Sequence, residues 1–383
     1  MNTATCLLMT ACLSAAPFQI LSADEPDQTR TAAVAEATRA VDLAICLDTS
    51  GSMSGLINAA RQKLWAIVND LALAQPTPTL RVALLTFGTP SYGADTGFVK
   101  LRTTLTEDLD RVSQELFALT TEGGDEYVGR VVQAALTDLP WSASKDSLKI
   151  IIVAGNESAD QDRVVDFRDA CKRAITNDIV VNSIYCGGAT DEEAPLWREV
   201  ALLADGRFAN IDQDNGLVVI ETPFDEQLTA LSGSVNQTYL PFGKEGESGA
   251  SNQVVQDENA SSLNTAAAAS RAQTKGSQLY FCSWDLVDAL KQKQVDLETI
   301  PDEDLPERLR GLSLVEKRQA VEAAEAKRAE LQRQISEVSE QRQQYIQEQM
   351  KKQATSETAA FDHAIRGAIR EQAKSKGFDF QKP

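Results

Sequence analysis

Histidine is almost missing from this chain: among its 383 residues the single one is His363. Imidazole-rich zinc centres and Ser-His-Asp or Cys-His catalysis therefore lack their main ingredient. Cys-x-x-Cys spacing is absent as well, which removes the usual zinc ribbons and dithiol redox sites. No Gly-x-Gly-x-x-Gly or Gly-x-x-x-x-Gly-Lys string occurs, so nucleotide binding has no sequence support. Apolar runs are short everywhere, and none has the length of a membrane span. Positive charge is the scarcer sign: 37 Lys and Arg face 56 Asp and Glu, a net charge of -19. Such a surface repels phosphate backbones and anionic lipid, which sets aside nucleic-acid and peripheral membrane partners.

What is present falls into unlike parts. Residues 301–383 carry 15 charges of each sign, so the whole acidic excess lies upstream. At the N-terminus, Ala4 to Ala16 is a short apolar stretch, followed by small residues at Ser22 and Ala23. It reads as a secretory signal over 1–23 with a linker over 24–39, and implies an extracytoplasmic protein, periplasmic or secreted. The cysteines beyond it are Cys46, Cys171, Cys186 and Cys282. They read as structural; an oxidising compartment would permit one disulfide among them, with no pairing fixed by spacing.

From residue 40 to 243, short β-rich runs alternate with segments of helical period. Leu43 to Leu47 is continuously apolar, as a central parallel strand requires. Ile57, Ala60, Leu64, Ile67 and Leu71 then mark one face of a helix. Further strands are expected at Leu80–Phe87, from Phe98, at Leu148–Ala154, at Ile179–Cys186 and at Arg207–Ile211. The helices expected between them are 109–119, 127–139, 164–176 and 196–203. This is the pattern of an α/β fold, a doubly wound, mostly parallel six-stranded sheet. Trp65, Trp141 and Trp197 read as packing residues.

Sheets of this kind bind ligands beyond the C-terminal ends of their strands. The first such loop reads Asp48-Thr49-Ser50-Gly51-Ser52, one carboxylate and alternating hydroxyls on a tight turn. Hard oxygen donors of this kind suit Mg²⁺, Mn²⁺ or Ca²⁺. The loop resembles the metal-ion-dependent adhesion site of von Willebrand factor type A domains. The similarity spans roughly residues 40 to 215 and includes the Gly123-Gly124 loop and the Ile184-Tyr185-Cys186-Gly187 strand.

The resemblance implies a metal held by the Asp and two Ser of this loop, by a Thr from a second loop and by an Asp from a third. One coordination position would be open to a partner's carboxylate. Asp48, Ser50 and Ser52 match that pattern. Asp125 stands where the Thr is expected, and Val153-Ala154-Gly155-Asn156 replaces a strand ending in Thr-Asp-Gly. Two readings follow: Asp125 is a relocated second charge that retains the metal, or the site is metal-free and Asp48 only caps the turn and the first helix. Glu122 and Glu126 read as solvated charges at a helix start, and Glu157, Asp160 and Asp162 as solvated loop charges.

Past the type A region, residues 244–276 are rich in Ser, Ala, Asn, Gln and Glu and read as a low-complexity linker. Residues 277–383 read as helical. They include a long charged helix over 314–352 that would form a coiled coil, or else an intramolecular hairpin. Lys317, Arg328 and Arg342 interrupt its apolar seam. Gly377 to Phe380 reads as a packed terminus. The function expected is non-enzymatic: an exported protein that binds a partner's Asp or Glu through a divalent ion, with C-terminal helices available for self-association. The competing classes are a metal-independent scaffold and an accessory subunit of an ATP-driven machine.

Overall fold

The computed structural model describes residues 39–211, 219–352 and 357–380, with side chains undescribed at 352 and 357–364. The expected signal peptide, and nearly all of the linker after it, lie outside the described residues, as does the His363 side chain. Among the described residues, eight strands and eleven α-helices follow one another: β1 Ala40–Asp48, α1 Ser54–Leu71, β2 Ala74–Gln75, β3 Thr79–Phe87, β4 Val99–Thr106, α2 Leu109–Phe117, α3 Val128–Asp138, β5 Leu148–Gly155, α4 Phe167–Thr176, β6 Val180–Tyr185, α5 Ala194–Leu202, β7 Phe208–Asn210, α6 Asp225–Asn236, α7 Gly246–Leu263, α8 Thr265–Gly276, α9 Leu286–Lys291, α10 Leu314–Lys352, α11 Glu357–Ser375 and β8 Asp379–Phe380. Among the described residues, no helix is long and apolar enough to cross a membrane.

Six strands form one sheet in the order β4-β3-β1-β5-β6-β7. All neighbours run parallel except β3 and β4. The chain leaves β1 for β3 on one side and later takes up β5 on the other, so the crevice between those crossovers opens at the end of β1. Strand alternation divides the sheet's two faces. Val41, Leu43, Ile45 and Leu47 pack beneath α1 and α2. Ala44 and Cys46 face the opposite layer of α3, α4 and α5. Trp65 and Trp197 are buried in these layers, as packing residues should be. Cys46, Cys171, Cys186 and Cys282 are all free thiols and buried.

The expected linker over 244–276 is instead two packed helices, α7 and α8. Composition misleads here because the helices pack through small and paired polar side chains rather than through large apolar ones. Ala269 and Ala272 of α8 join Leu228, Val235, Ile335 and Val338 from α6 and α10 in a second core. Arg271 is 1% exposed. Its guanidinium reaches Asp110 of α2 at 2.7 Å and Asp257 of α7 at 2.5 Å, and lies over the Trp65 ring of α1. Lys275 pairs with Asp257 at 2.8 Å, and the Tyr280 hydroxyl donates to Asp110. Burial alone would raise the Asp257 pKa, yet the charges of Arg271 and Lys275 outweigh it and leave that carboxyl below its ordinary range.

Helix α10 spans the residues read from sequence as the long charged helix, and its C-terminal half lies against α6 and α8 of the same chain. Two of the basic residues that interrupt its seam are the reason. Arg328 pairs with Asp285 and Asp288, both at 2.8 Å, and Arg342 with Asp225 at 2.8 Å, all in buried surroundings. Helix α11 docks through Arg366 and Arg370, both paired with the buried Asp70 of α1. After it Phe378 is buried, and β8 pairs antiparallel with β2, so the tail is packed.

Candidate metal centre

β1 ends at Asp48, where the chain must leave a strand buried on both faces. The Ser50 amide donates to Asp48 Oδ1 at 2.7 Å, and the Met53 amide to the Ser50 carbonyl at 3.1 Å, which closes the turn. Thr49 anchors the turn to the next strand. Its amide and hydroxyl both donate to the Phe87 carbonyl, at 2.8 and 2.9 Å, and its Oγ1 lies 2.8 Å from that of Thr89. Helix α1 then starts without a side-chain cap, so Asp48 closes the turn but does not cap the helix.

Across the crevice the second carboxylate is Glu126 rather than Asp125. Glu126 is 4% exposed, and its amide donates to Gln161 Oε1 at 3.0 Å. Asp125 is exposed and receives the Tyr127 hydroxyl at 3.3 Å. The two neighbours face opposite ways along this segment, so one of them can enter the crevice and the other cannot. Gly88 keeps the approach open. It holds φ at +85°, and a Cβ there would sit 2.8 Å from Asp48 Oδ1 and 3.2 Å from Glu126 Cγ. Any larger residue would push the two carboxylates apart.

The other expected ligands divide. Ser50 is buried beside Asp48. Ser52 is exposed, and its Oγ accepts from Asn156 Nδ2 at 3.0 Å. Asn156 follows β5 directly after Gly155, at the strand end where the resemblance called for Thr-Asp-Gly. Glu122 and Glu157 are exposed, as read from sequence, whereas Asp162 is buried and pairs with Arg130 at 2.7 Å. Glu126 and Asn156 are thus the residues that sequence reasoning missed. No local pattern distinguishes Glu126 from an ordinary acidic helix start, and Asn156 carries no charge to draw notice.

Five buried side-chain oxygens or nitrogens among the described residues have no hydrogen-bond partner, and four are here: Asp48 Oδ2, Ser50 Oγ, Glu126 Oε2 and Asn156 Oδ1. A buried polar atom left unpaired costs about 1–3 kcal/mol, so such a concentration calls for an occupant. All four are oxygens, the donor type of hard cations. Burial raises the Asp48 pKa. Burial first, and then the nearby Asp48 carboxylate, push Glu126 up to about 9. Two carboxyls enclosed together need a proton or a cation between them. Among the described residues no three His, Cys, Asp or Glu side chains gather to hold a metal, so an ion here would draw on hydroxyl and amide oxygens beside the two carboxylates. The Cys186 thiol at the end of β6 stays protonated, its pKa raised by burial and then by Asp48 and Glu126.

Residues 42–213 match the family model of the von Willebrand factor type A domain. This chain carries that domain. Its mostly parallel six-stranded sheet flanked by helices is that of the VWA fold. No curated protein sequence matches the chain. Among solved structures, proximal thread matrix protein 1 from the mussel byssus is 13% identical with a TM-score of 0.35, over 46% of this chain and 43% of that one. One structure of that mussel protein is described with a zinc-occupied adhesion-site motif. A von Willebrand factor type A protein from Catenulispora acidiphila is 19% identical with a TM-score of 0.36, over 46% and 40%. The pilus adhesin SpaC from Lactobacillus rhamnosus GG is 15% identical with a TM-score of 0.35, over 47% and 29%. The matched part spans less than half the length of each of these three proteins.

Proposed function

We propose that the VWA domain holds a divalent cation, Mg²⁺ or else Mn²⁺ or Ca²⁺, and uses it to bind a protein partner through an Asp or Glu side chain. The observation that carries this reading is the group of four buried, unpartnered oxygens at the end of β1. Asp48 and Glu126 would neutralise the ion, Ser50 would add a hydroxyl oxygen, and Asn156 would hold Ser52 at the rim. When bound, the cation supplies a positive centre with a coordination position for the partner's carboxylate. The function is binding rather than catalysis, and its setting is extracytoplasmic. The rival is a metal-free scaffold in which a proton shared by Asp48 and Glu126 replaces the ion.

Thermal melting separates the two. In the metal-binding reading, saturating Mg²⁺, Mn²⁺ or Ca²⁺ stabilises the wild-type protein relative to EDTA, by about 2.7 kcal/mol at a hundred times the dissociation constant. Asp48→Ala and Glu126→Gln remove the response. If the wild type melts identically in EDTA and in millimolar metal, the scaffold reading takes its place.

A further inference from the structure

The loops that surround the crevice are charged almost entirely with one sign. Residues 49–53, 88–98, 119–127, 155–166 and 186–193 contain a single basic residue, Arg163. Against it, Asp95, Glu122, Asp125, Glu157, Asp160 and Glu192 are all exposed. These carboxylates belong to the metal end itself. The Glu122 amide donates to the Thr49 carbonyl at 3.0 Å. A Cβ on Gly51 would come within 3.8 Å of Gly123. Gln161 joins Glu157 to the Glu126 amide, and the Glu157 charge acts on both buried carboxyls. Of the neighbouring guanidinium groups, Arg130 is paired with Asp162 and Arg168 with Glu199, each at 2.7 Å; Arg168 also reaches Asp160 at 3.3 Å and compensates that one rim carboxylate in part.

An acidic rim around a site for a carboxylate poses a contradiction for any acidic partner. One bound ion neutralises the two buried carboxyls but not the ring of exposed ones. A ligand carboxylate in an acidic context would be repelled before it reached the ion, because unlike potentials attract and like ones exclude across an interface. The unpartnered Asp48 Oδ2, Ser50 Oγ and Glu126 Oε2 beneath the rim mark the same place as a receptor for positive charge.

We propose that the partner surface docking on this end is basic: a protein segment whose metal-seeking Asp or Glu is flanked by Lys or Arg. The central carboxylate rests on the metal-dependent reading above, whereas the flanking charge follows from the rim alone.

Three fluorescent peptides of equal length test it on the full chain: a central Asp flanked by lysines, a central Asp flanked by glutamates, and a central Asn flanked by lysines. In Mg²⁺, fluorescence anisotropy should show the lysine-flanked Asp peptide binding at least about tenfold tighter than the glutamate-flanked one. Raising NaCl to about 0.5 M should erase most of that preference. Combined Asp95→Asn, Glu122→Gln and Glu192→Gln changes should lower the preference several-fold while the Mg²⁺ melting response persists. Equal binding of the two Asp peptides, a preference untouched by the triple change, or no binding of the lysine-flanked Asp peptide at millimolar concentration overturns the proposal. If the lysine preference holds equally in EDTA and with the central Asn, the rim proposal stands and the metal reading fails.

Discussion

Two acidic regions of this molecule are built on opposite terms. Beneath α8, every buried charge meets its opposite inside the chain: Asp110 and Asp257 enclose Arg271, and Lys275 completes the set. At the end of β1, the charges that act on Asp48 and Glu126 are each other's and that of Glu157, all of one sign. Both arrangements withdraw carboxylates from water, which is costly unless an opposite charge is supplied. Where the chain supplies it, the charges join two helical layers into one structure. Where it does not, the charges face a crevice, and the compensating ion or group must come from outside.

The comparison can be broken most sharply at the paired region. Arg271→Ala leaves Asp110 and Asp257 buried without their guanidinium, and should cost about 3–5 kcal/mol in urea denaturation. Glu126→Gln is the mirror case. It should cost little in EDTA, and abolish the roughly 2.7 kcal/mol that saturating metal adds to the wild type, as read from melting curves.

A smaller effect lies in a second paired cluster, where Arg328 of α10 meets Asp285 and Asp288. Burial lifts Asp288 to about 6, even though Arg328 opposes the shift. The folded chain thus holds this proton more tightly than the unfolded one. Its contribution to stability is present in full below the ordinary carboxyl range and disappears as pH rises through about 6, with a slope of at most about 1.4 kcal/mol per pH unit. Asp288→Asn should flatten that part of the stability profile measured by denaturation from pH 4 to pH 7. The smallest effect belongs to Asp125→Ala. An exposed residue of this kind should change stability by no more than about 0.5 kcal/mol, and the metal-dependent melting shift should survive.

Asp125 and Glu126 also show how far the sequence could be read. The sheet was legible because its strands are short apolar runs such as Ile150-Ile151-Ile152-Val153, whose burial on both faces leaves a compositional mark. The Asp48-x-Ser50-x-Ser52 turn was legible because residue types and position after the first strand coincide. Which of two adjacent acids enters the crevice depends on the path of an irregular segment against Gly88, and no periodicity records that. The helices α7 and α8 were hidden for a different reason. Their buried positions include Gln253, Gln256, Arg271 and Lys275, polar residues that read as solvent-facing until the partners holding them are known. Arg328 and Arg342 misled in the same direction, since a base on an apolar seam counts against packing until its acid is found.

The pairing of Asp70 with Arg366 and Arg370 has a consequence in time. All six strands of the main sheet have been synthesised once residue 210 emerges, yet Asp70 on α1 waits for residues about 300 positions downstream, and Asp110 on α2 waits for Arg271. Contacts that distant in sequence form late and slow the approach to the native state. A nascent chain that has just finished its sheet would carry two carboxylates in an apolar setting without their cations. Such an intermediate should remain open to proteases and chaperones during translation, until the final helix arrives.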